Sequence, residues 1–242
     1  MKSLAIDTCA KTVSVAIFED DKLIAESFFN TGFTYSQTLL PIIDFCLDIS
    51  KTNISEIKEF IVVSGPGSFT GLRIGIATIK GLAVSKNLKN LNCKAVSTIE
   101  TLAYNLRNYS FLNYNKDLRV IICPAMDARC NQVYTGIFEL VDNKIIRLEK
   151  DLAISIDELE IKLKKFENEF IFLLGDGANL CYNIFKNSFK NINLVSEDLL
   201  YPKASSLFWA AKDKSYISSA DLKPVYLRLS QAQRQILEKN KN

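Results

Sequence analysis

Short apolar runs with period-two alternation, broken by polar turns, are interleaved along this chain with longer stretches of helical period. Residues 4–8 read as a strand ending on Asp7. Residues 12–19 set Val13, Val15 and Ile17 against Thr12, Ser14 and Ala16, the pattern of a strand with two distinct faces. Asp20-Asp21-Lys22 turns the chain into a third strand at 23–29. Residues 35–50 carry Leu39, Leu40, Ile43, Phe45 and Leu47 at helical spacing, and Pro41 marks a kink or a first turn there. A buried strand at 60–64, a helix at 70–85, a strand at 93–97 and a helix from Thr98 follow. The order β-β-β-α-β-α-β predicts a mixed sheet with helices on both faces.

From about residue 118 the order repeats. Strands are expected at 118–124, 132–140 and 144–152, a helix at 156–167, and a buried strand at 170–174 with a helix after it. Asp7 and the later Gly65-Pro66-Gly67 turn find counterparts in Asp127 and Gly175-Asp176-Gly177. A repeated order of elements predicts two similar lobes, residues 1–105 and 106–220, with 221–242 packing back on the first. Residues 106–117, rich in Asn and Tyr, read as the junction. A further helix is expected at 204–214, an extended piece at 224–228 and a polar, frayed end at 231–242.

The helix at 70–85 carries only two charges, Arg73 and Lys80, and is otherwise apolar or small. A helix apolar nearly all round is buried on more than one side. Gly71 and Gly75, one turn apart, leave a bare groove where another backbone can approach. Either a neighbouring element of the same chain or a partner helix can fill it. Ser68 or Thr70 can cap the helix. The turn before it lacks the lysine of a Walker A loop. The third glycine of a dinucleotide fingerprint is also missing, because Thr70 occupies that position. A glycine turn leading into a helix N-terminus still suits an anion.

Composition narrows the chemistry. The 242 residues hold 30 Lys and Arg against 27 Asp and Glu, a net charge of +3 that neither demands nor excludes nucleic acid. No histidine occurs. Ser-His-Asp and Cys-His catalysis and His-ligated zinc are therefore excluded. The six cysteines form no Cys-x2-Cys pair, so no transition-metal site is expected. No secretory leader opens the sequence and no apolar run reaches the length of a membrane span. The expectation is a reduced, cytoplasmic protein without a membrane segment.

Gly65-Pro-Gly-Ser-Phe-Thr-Gly-Leu-Arg-Ile-Gly75, followed by Lys80-Gly-Leu-Ala83, resembles the signature of the bacterial TsaB family, also called YeaZ. Ile6-Asp7-Thr8, Asp127-Ala-Arg129 with Val133-Tyr134, Leu174-Gly-Asp-Gly-Ala178 and Pro224-Val-Tyr-Leu-Arg228 match in order along nearly the whole chain. The resemblance implies an α/β fold of two actin-like, ribonuclease H-like lobes. It implies a part in forming threonylcarbamoyladenosine beside the anticodon of tRNA. The part is that of a non-catalytic partner to a TsaD-like transferase, alongside a TsaE-like ATPase, with tRNA reached through the complex only. It also implies that the chain can pair with itself, and that weak nucleotide binding is open while no cofactor is required.

In that family the contact uses the first two helices of the first lobe. The residues this assigns to a partner interface are Leu39, Leu40, Ile43, Thr70, Gly71, Arg73, Ile74, Gly75 and Thr78. TsaD-like enzymes hold a metal with two histidines four apart, and the matching positions here are Ser97 and Thr101, neither of which replaces imidazole. Tyr35 stands where a histidine is expected before the first helix, and no catalytic residue is assigned. Asp7 ends a strand where actin-like ATPases place magnesium and phosphate, so Asp7, Gly65, Gly67 and Ser68 are candidates for a nucleotide or anion contact. The alternatives are an Asx turn at Asp7 and a small-molecule kinase or ATPase of the actin-like class.

Overall fold

The computed structural model describes residues 1–30, 35–85, 92–109 and 119–228. The expectations placed on 110–117 and 231–242, and on the Tyr35 side chain, lie outside what is described. The first sheet is built from β1 (Lys2–Asp7), β2 (Val13–Glu19), β3 (Lys22–Phe29), β4 (Ile57–Gly65) and β5 (Asn92–Ser97). Helices α1 (Tyr35–Ile49), α2 (Phe69–Ser85) and α3 (Thr98–Ala103) connect and follow these strands. The second half runs β6 (Val120–Asp127), β7 (Gln132–Val141), β8 (Lys144–Ser155), α4 (Ile156–Leu163), β9 (Phe170–Leu174), α5 (Ala178–Phe185) and β10 (Ile192–Leu194). Helix α6 (Ala204–Ala210) and the two-residue strand β11 (Ile217–Ser218) close the described chain.

Both sheets have the spatial order 3-2-1-4-5, written as β3-β2-β1-β4-β5 and β8-β7-β6-β9-β10. In each, the first three strands form an antiparallel meander and the last two run parallel to the first. Alternation along the strands sorts the side chains into layers. Leu4, Ile6, Val15, Ile17, Phe60 and Val62 face α1 and α2. Ala5, Ala16, Phe18, Ile61 and Val63 face the other way. That second set joins Ile122, Met126, Phe138, Phe172 and Leu174 of the second sheet in one continuous core. On its far face the second sheet packs Ile121, Cys123, Ile137, Ile171 and Leu173 against α4 and α5.

The layer between the sheets is made of α3 and α6, and each crosses from its own half. Helix α3 follows the first sheet but packs on β6 and β7 as well as β4 and β5. Helix α6 follows the second sheet but packs on β1, β2 and β4. Phe208 of α6 stacks on Phe18 of β2 with ring centroids 3.7 Å apart. Strand β11 then pairs antiparallel with β5, extending the first sheet. Some elements differ from the sequence reading. The helix expected at 156–167 ends at Leu163 and tightens into a 3-10 turn at Lys164–Phe166. The helix expected at 204–214 stops at Ala210. Pro41 lies inside α1. Strands β10 and β11 are too short to show any alternation, and the sequence reading missed both.

Candidate functional site

The two lobes bound a cleft of about 780 Å³ whose walls include Lys11, Gly67, Ser68, Arg73, Asp127, Arg129 and Asp176. The ends of β1 and β6 approach it in the same way. The Asp7 carboxylate accepts the Cys9 N–H at 3.1 Å, and the Asp127 carboxylate accepts the Arg129 N–H at 2.6 Å. Each glycine turn then closes on the strand end it faces. The Ser68 N–H donates to the Cys9 carbonyl at 2.7 Å, and the Gly177 N–H to the Ala125 carbonyl at 2.9 Å. A Cβ on Gly67, at φ 156°, would stand 2.5 Å from the Cys9 carbonyl oxygen. The glycine is required by that approach.

The two aspartates differ in environment. Asp7 is fully buried, and its carboxyl also accepts the Cys9 thiol at 3.2 Å. Burial raises its pKa from 3.8 to about 7, against the lowering effect of the Cys9 N–H and thiol. The Cys9 thiol is pushed up in turn, by burial first and then by the Asp7 charge. Asp127 is exposed on the cleft, and its own N–H donates to the Asp176 carboxylate at 2.9 Å. Burial raises the Asp176 pKa, partly offset by that bond. Asp176 thus ties its turn to the end of β6.

Of the four anion candidates, Gly67 and Ser68 line the cleft. Asp7 is buried and bonded to Cys9 in an Asx-type turn, and Gly65 lies under Val225, whose carbonyl oxygen is 2.4 Å from where a Cβ on Gly65 would be. Ser68 caps α2, accepting the Gly71 N–H at 3.2 Å, while Thr70 is exposed.

The partner-face candidates divide by helical phase. Leu40, Thr70 and Arg73 are exposed, and Ile74 and Thr78 are half-buried. Four others need correction. Leu39 and Ile43 are each 1% exposed and belong to the core under α1. Gly71 and Gly75 are buried, and the notch between them holds Thr8 of the same chain. A Cβ on Gly71 would lie 1.9 Å from the Thr8 carbonyl oxygen, and one on Gly75 would lie 2.5 Å from Thr8 Oγ1. The bare groove is filled by the segment that follows β1.

The outward face of α1 and α2 holds residues that the sequence reading passed over. Phe45 is 55% exposed, Ile49 65% and Val84 78%, beside Leu40 at 50%. Ala77 and Gly81 are exposed on α2 in phase with Val84, and a Cβ on Gly81 would meet nothing within 4 Å. Projecting each helix and taking the positions opposite the buried ones would have found them. Ser97 and Thr101 serve structure. Ser97 caps α3 by accepting the Ile99 N–H at 3.1 Å, and Thr101 Oγ1 donates to the Ser97 carbonyl at 2.9 Å.

The family model described as TsaD, tRNA N6-adenosine threonylcarbamoyltransferase, matches residues 31–235. A tRNA threonylcarbamoyladenosine biosynthesis protein TsaB from Buchnera aphidicola subsp. Baizongia pistaciae is 30% identical over 217 residues, covering 84% of this chain and 93% of that protein. The chain belongs to that family and, within it, to TsaB. TsaB of Bacillus subtilis is 29% identical over 242 residues, covering 100% of both chains. The solved structure of YeaZ from Pseudomonas aeruginosa superposes with a TM-score of 0.74 at 23% identity, over 93% of this chain and 99% of that one. The chain therefore shares the fold of that structure, two α/β lobes each built on a mixed sheet. Among the described residues no helix is long and apolar enough to cross a membrane.

Proposed function

We propose that this TsaB-family chain is a non-catalytic partner of a TsaD-like transferase in forming threonylcarbamoyladenosine in tRNA. It docks through the outward face of α1 and α2. The observation that carries the reading is that face. Leu40, Phe45, Ile49 and Val84 are half or more exposed, with the small Ala77 and the open Gly81 in phase with Val84 on α2. An exposed apolar surface of this kind marks an interaction site. The absence of histidine, and the structural duties of Ser97 and Thr101, support a supporting role over a transferase site. The proposal extends to a homodimer through the same face when the transferase is absent, to a TsaE-like ATPase joining the pair, and to tRNA contact through the complex only.

The test uses the purified full chain and a TsaD-like protein, with complex formation followed by size-exclusion chromatography and calorimetry. Val84→Glu and Phe45→Asp should each weaken the complex by about 100-fold or more, as losing a central apolar anchor does. Ile161→Glu, at an equally exposed apolar position on α4 of the second lobe, should leave it unchanged. Equal affinity for all three variants would overturn the assignment of this face.

The cleft favours a second reading, a small-molecule kinase or ATPase of the actin-like class. A turn and helix N-terminus at Gly67 and Ser68 lie on its wall. Against it, Asp7 is sealed from the cleft and bonded to Cys9. ATP turnover by the isolated chain would favour this reading over the first, and no measurable turnover or nucleotide affinity would remove it.

A further inference from the structure

We infer that residues 222–228 form a latch fastened to both walls of the interlobe cleft. At its start, Leu222 is buried in the core beneath α1 and α2. The Val225 N–H donates to the Ser64 carbonyl at 2.7 Å, and its carbonyl occupies the space that Gly65 leaves by lacking a Cβ. Next, the Tyr226 ring stacks on Phe69 of α2, centroids 4.4 Å apart and planes 10° from parallel. Arg73 Nε donates to the Tyr226 hydroxyl at 2.8 Å. All these contacts lie on the first lobe. Two residues later, the Arg228 guanidinium donates to the Ala128 carbonyl and lies 3.4 Å from the Arg129 carbonyl, both in the β6–β7 turn of the second lobe.

The turn that receives Arg228 is strained. Arg129, Cys130 and Asn131 have φ of 61°, 55° and 58°, three consecutive non-glycine residues in the left-handed region. Such a run is disfavoured sterically and persists only where its surroundings over-determine it. The Ala128 N–H bonds the Gln132 carbonyl at 2.9 Å, and the Ile156 N–H bonds the Asn131 carbonyl at 3.2 Å. The Gln132 N–H bonds the Arg129 carbonyl at 3.2 Å and the Arg129 N–H the Asp127 carboxylate, and Arg228 adds a restraint that comes from outside the second lobe's own sheet and helix. Phe69 and Arg73, under Tyr226, line one cleft wall; Ala128 and Arg129, under Arg228, line the other. The strap therefore couples the two walls directly, where the shared core couples the lobes through their inner layer. Releasing either end frees the β6–β7 turn and lets the cleft rim open.

The chain carries its own reporter. Of six cysteines, Cys130 alone is exposed, and it sits in the strained turn. The experiment measures how fast a soluble disulfide reagent labels Cys130, and amide hydrogen exchange at 127–132, in the full chain. Arg228→Ala should raise both rates by about fivefold or more, the signature of a local opening made easier. Tyr226→Ala, which touches only the first lobe, should raise them too, whereas Arg228→Lys should give an intermediate rise. Wild-type rates in Arg228→Ala overturn the latch. So does a rise confined to Arg228→Ala with none in Tyr226→Ala, because Arg228 would then be only a local cap on the turn. Since Tyr226 and Arg228 are both at least partly exposed, neither truncation leaves a large core cavity, and the thermal midpoint checks that each variant is folded.

Discussion

Gly71→Ala should cost this fold about 3 kcal/mol or more, a loss in the range of overpacking and broken buried contacts. The added methyl carbon would sit 1.9 Å from the carbonyl oxygen of Thr8 and 3.1 Å from its carbonyl carbon. Those are backbone atoms, so no rotamer change relieves the clash. Thr8 is itself fully buried, and its hydroxyl donates to the Gly71 carbonyl at 2.8 Å. Either α2 lifts from β1 or the end of β1 shifts, and both open the core. The substitution gains about 1 kcal/mol of helix propensity, which the clash must exceed. Gly81→Ala in the same helix isolates that gain. Nothing lies within 4 Å of its Cβ, so it should stabilise by about 0.5–1 kcal/mol. Urea unfolding of the two variants side by side is the measurement. Equal stabilities would mean that the notch at Gly71 is looser than the geometry states. For the same reason Gly75→Leu reports on folding, not docking, and Val84→Glu is the better probe of a partner.

The second large effect is a stability that falls as pH rises, with Asp7 as its source. Its carboxyl has a pKa of about 7 in the fold against an ordinary 3.8. Between those values the native state keeps a proton that the unfolded chain has already released. The native state binds more protons there, so stability declines with pH across that window and levels off above it. The contribution is fully present below about pH 4 and lost as pH passes about 7, on the order of 4 kcal/mol in all for a fully buried group. Asp7→Asn keeps an oxygen to accept the Cys9 N–H and thiol but has no charge to bury. It should be more stable than the parent at pH 8 and nearly equal to it at pH 4. Urea midpoints at the two pH values settle this, since pH effects of other groups cancel in the difference between parent and variant. Parallel curves would show that Asp7 carries its charge without cost.

The order of elements was readable because it rests on local signals. Val13, Val15 and Ile17 alternate, and the Gly65 to Gly67 and Gly175 to Gly177 turns punctuate each half. The likeness of the two halves follows from that repetition, whereas the 3-2-1-4-5 order of each sheet depends on β4 pairing with β1 and β9 with β6, which no local signal marks. The orientation of α1 and α2 was not readable from composition. Leu39 and Ile43 are no more apolar than Leu40 and Phe45, and only helical phase against the buried sheet separates them. Nor could the filling of the Gly71–Gly75 notch be read locally, since Thr8 lies more than sixty positions earlier. The same holds for the crossing of α3 and α6, for Asp176 reaching the end of β6, and for Arg228 reaching the β6–β7 turn. Each depends on a contact between segments distant in sequence, about which neither neighbour carries a mark.

Because α3 and α6 trade places between the halves, neither half is a self-sufficient unit. A gene severed near codon 105 would leave the first sheet without α6 and β11, and the second without α3. Each fragment would present a raw aliphatic face to water, so the pieces should precipitate alone and recover solubility when co-expressed. Heating the intact chain should accordingly give one melting transition.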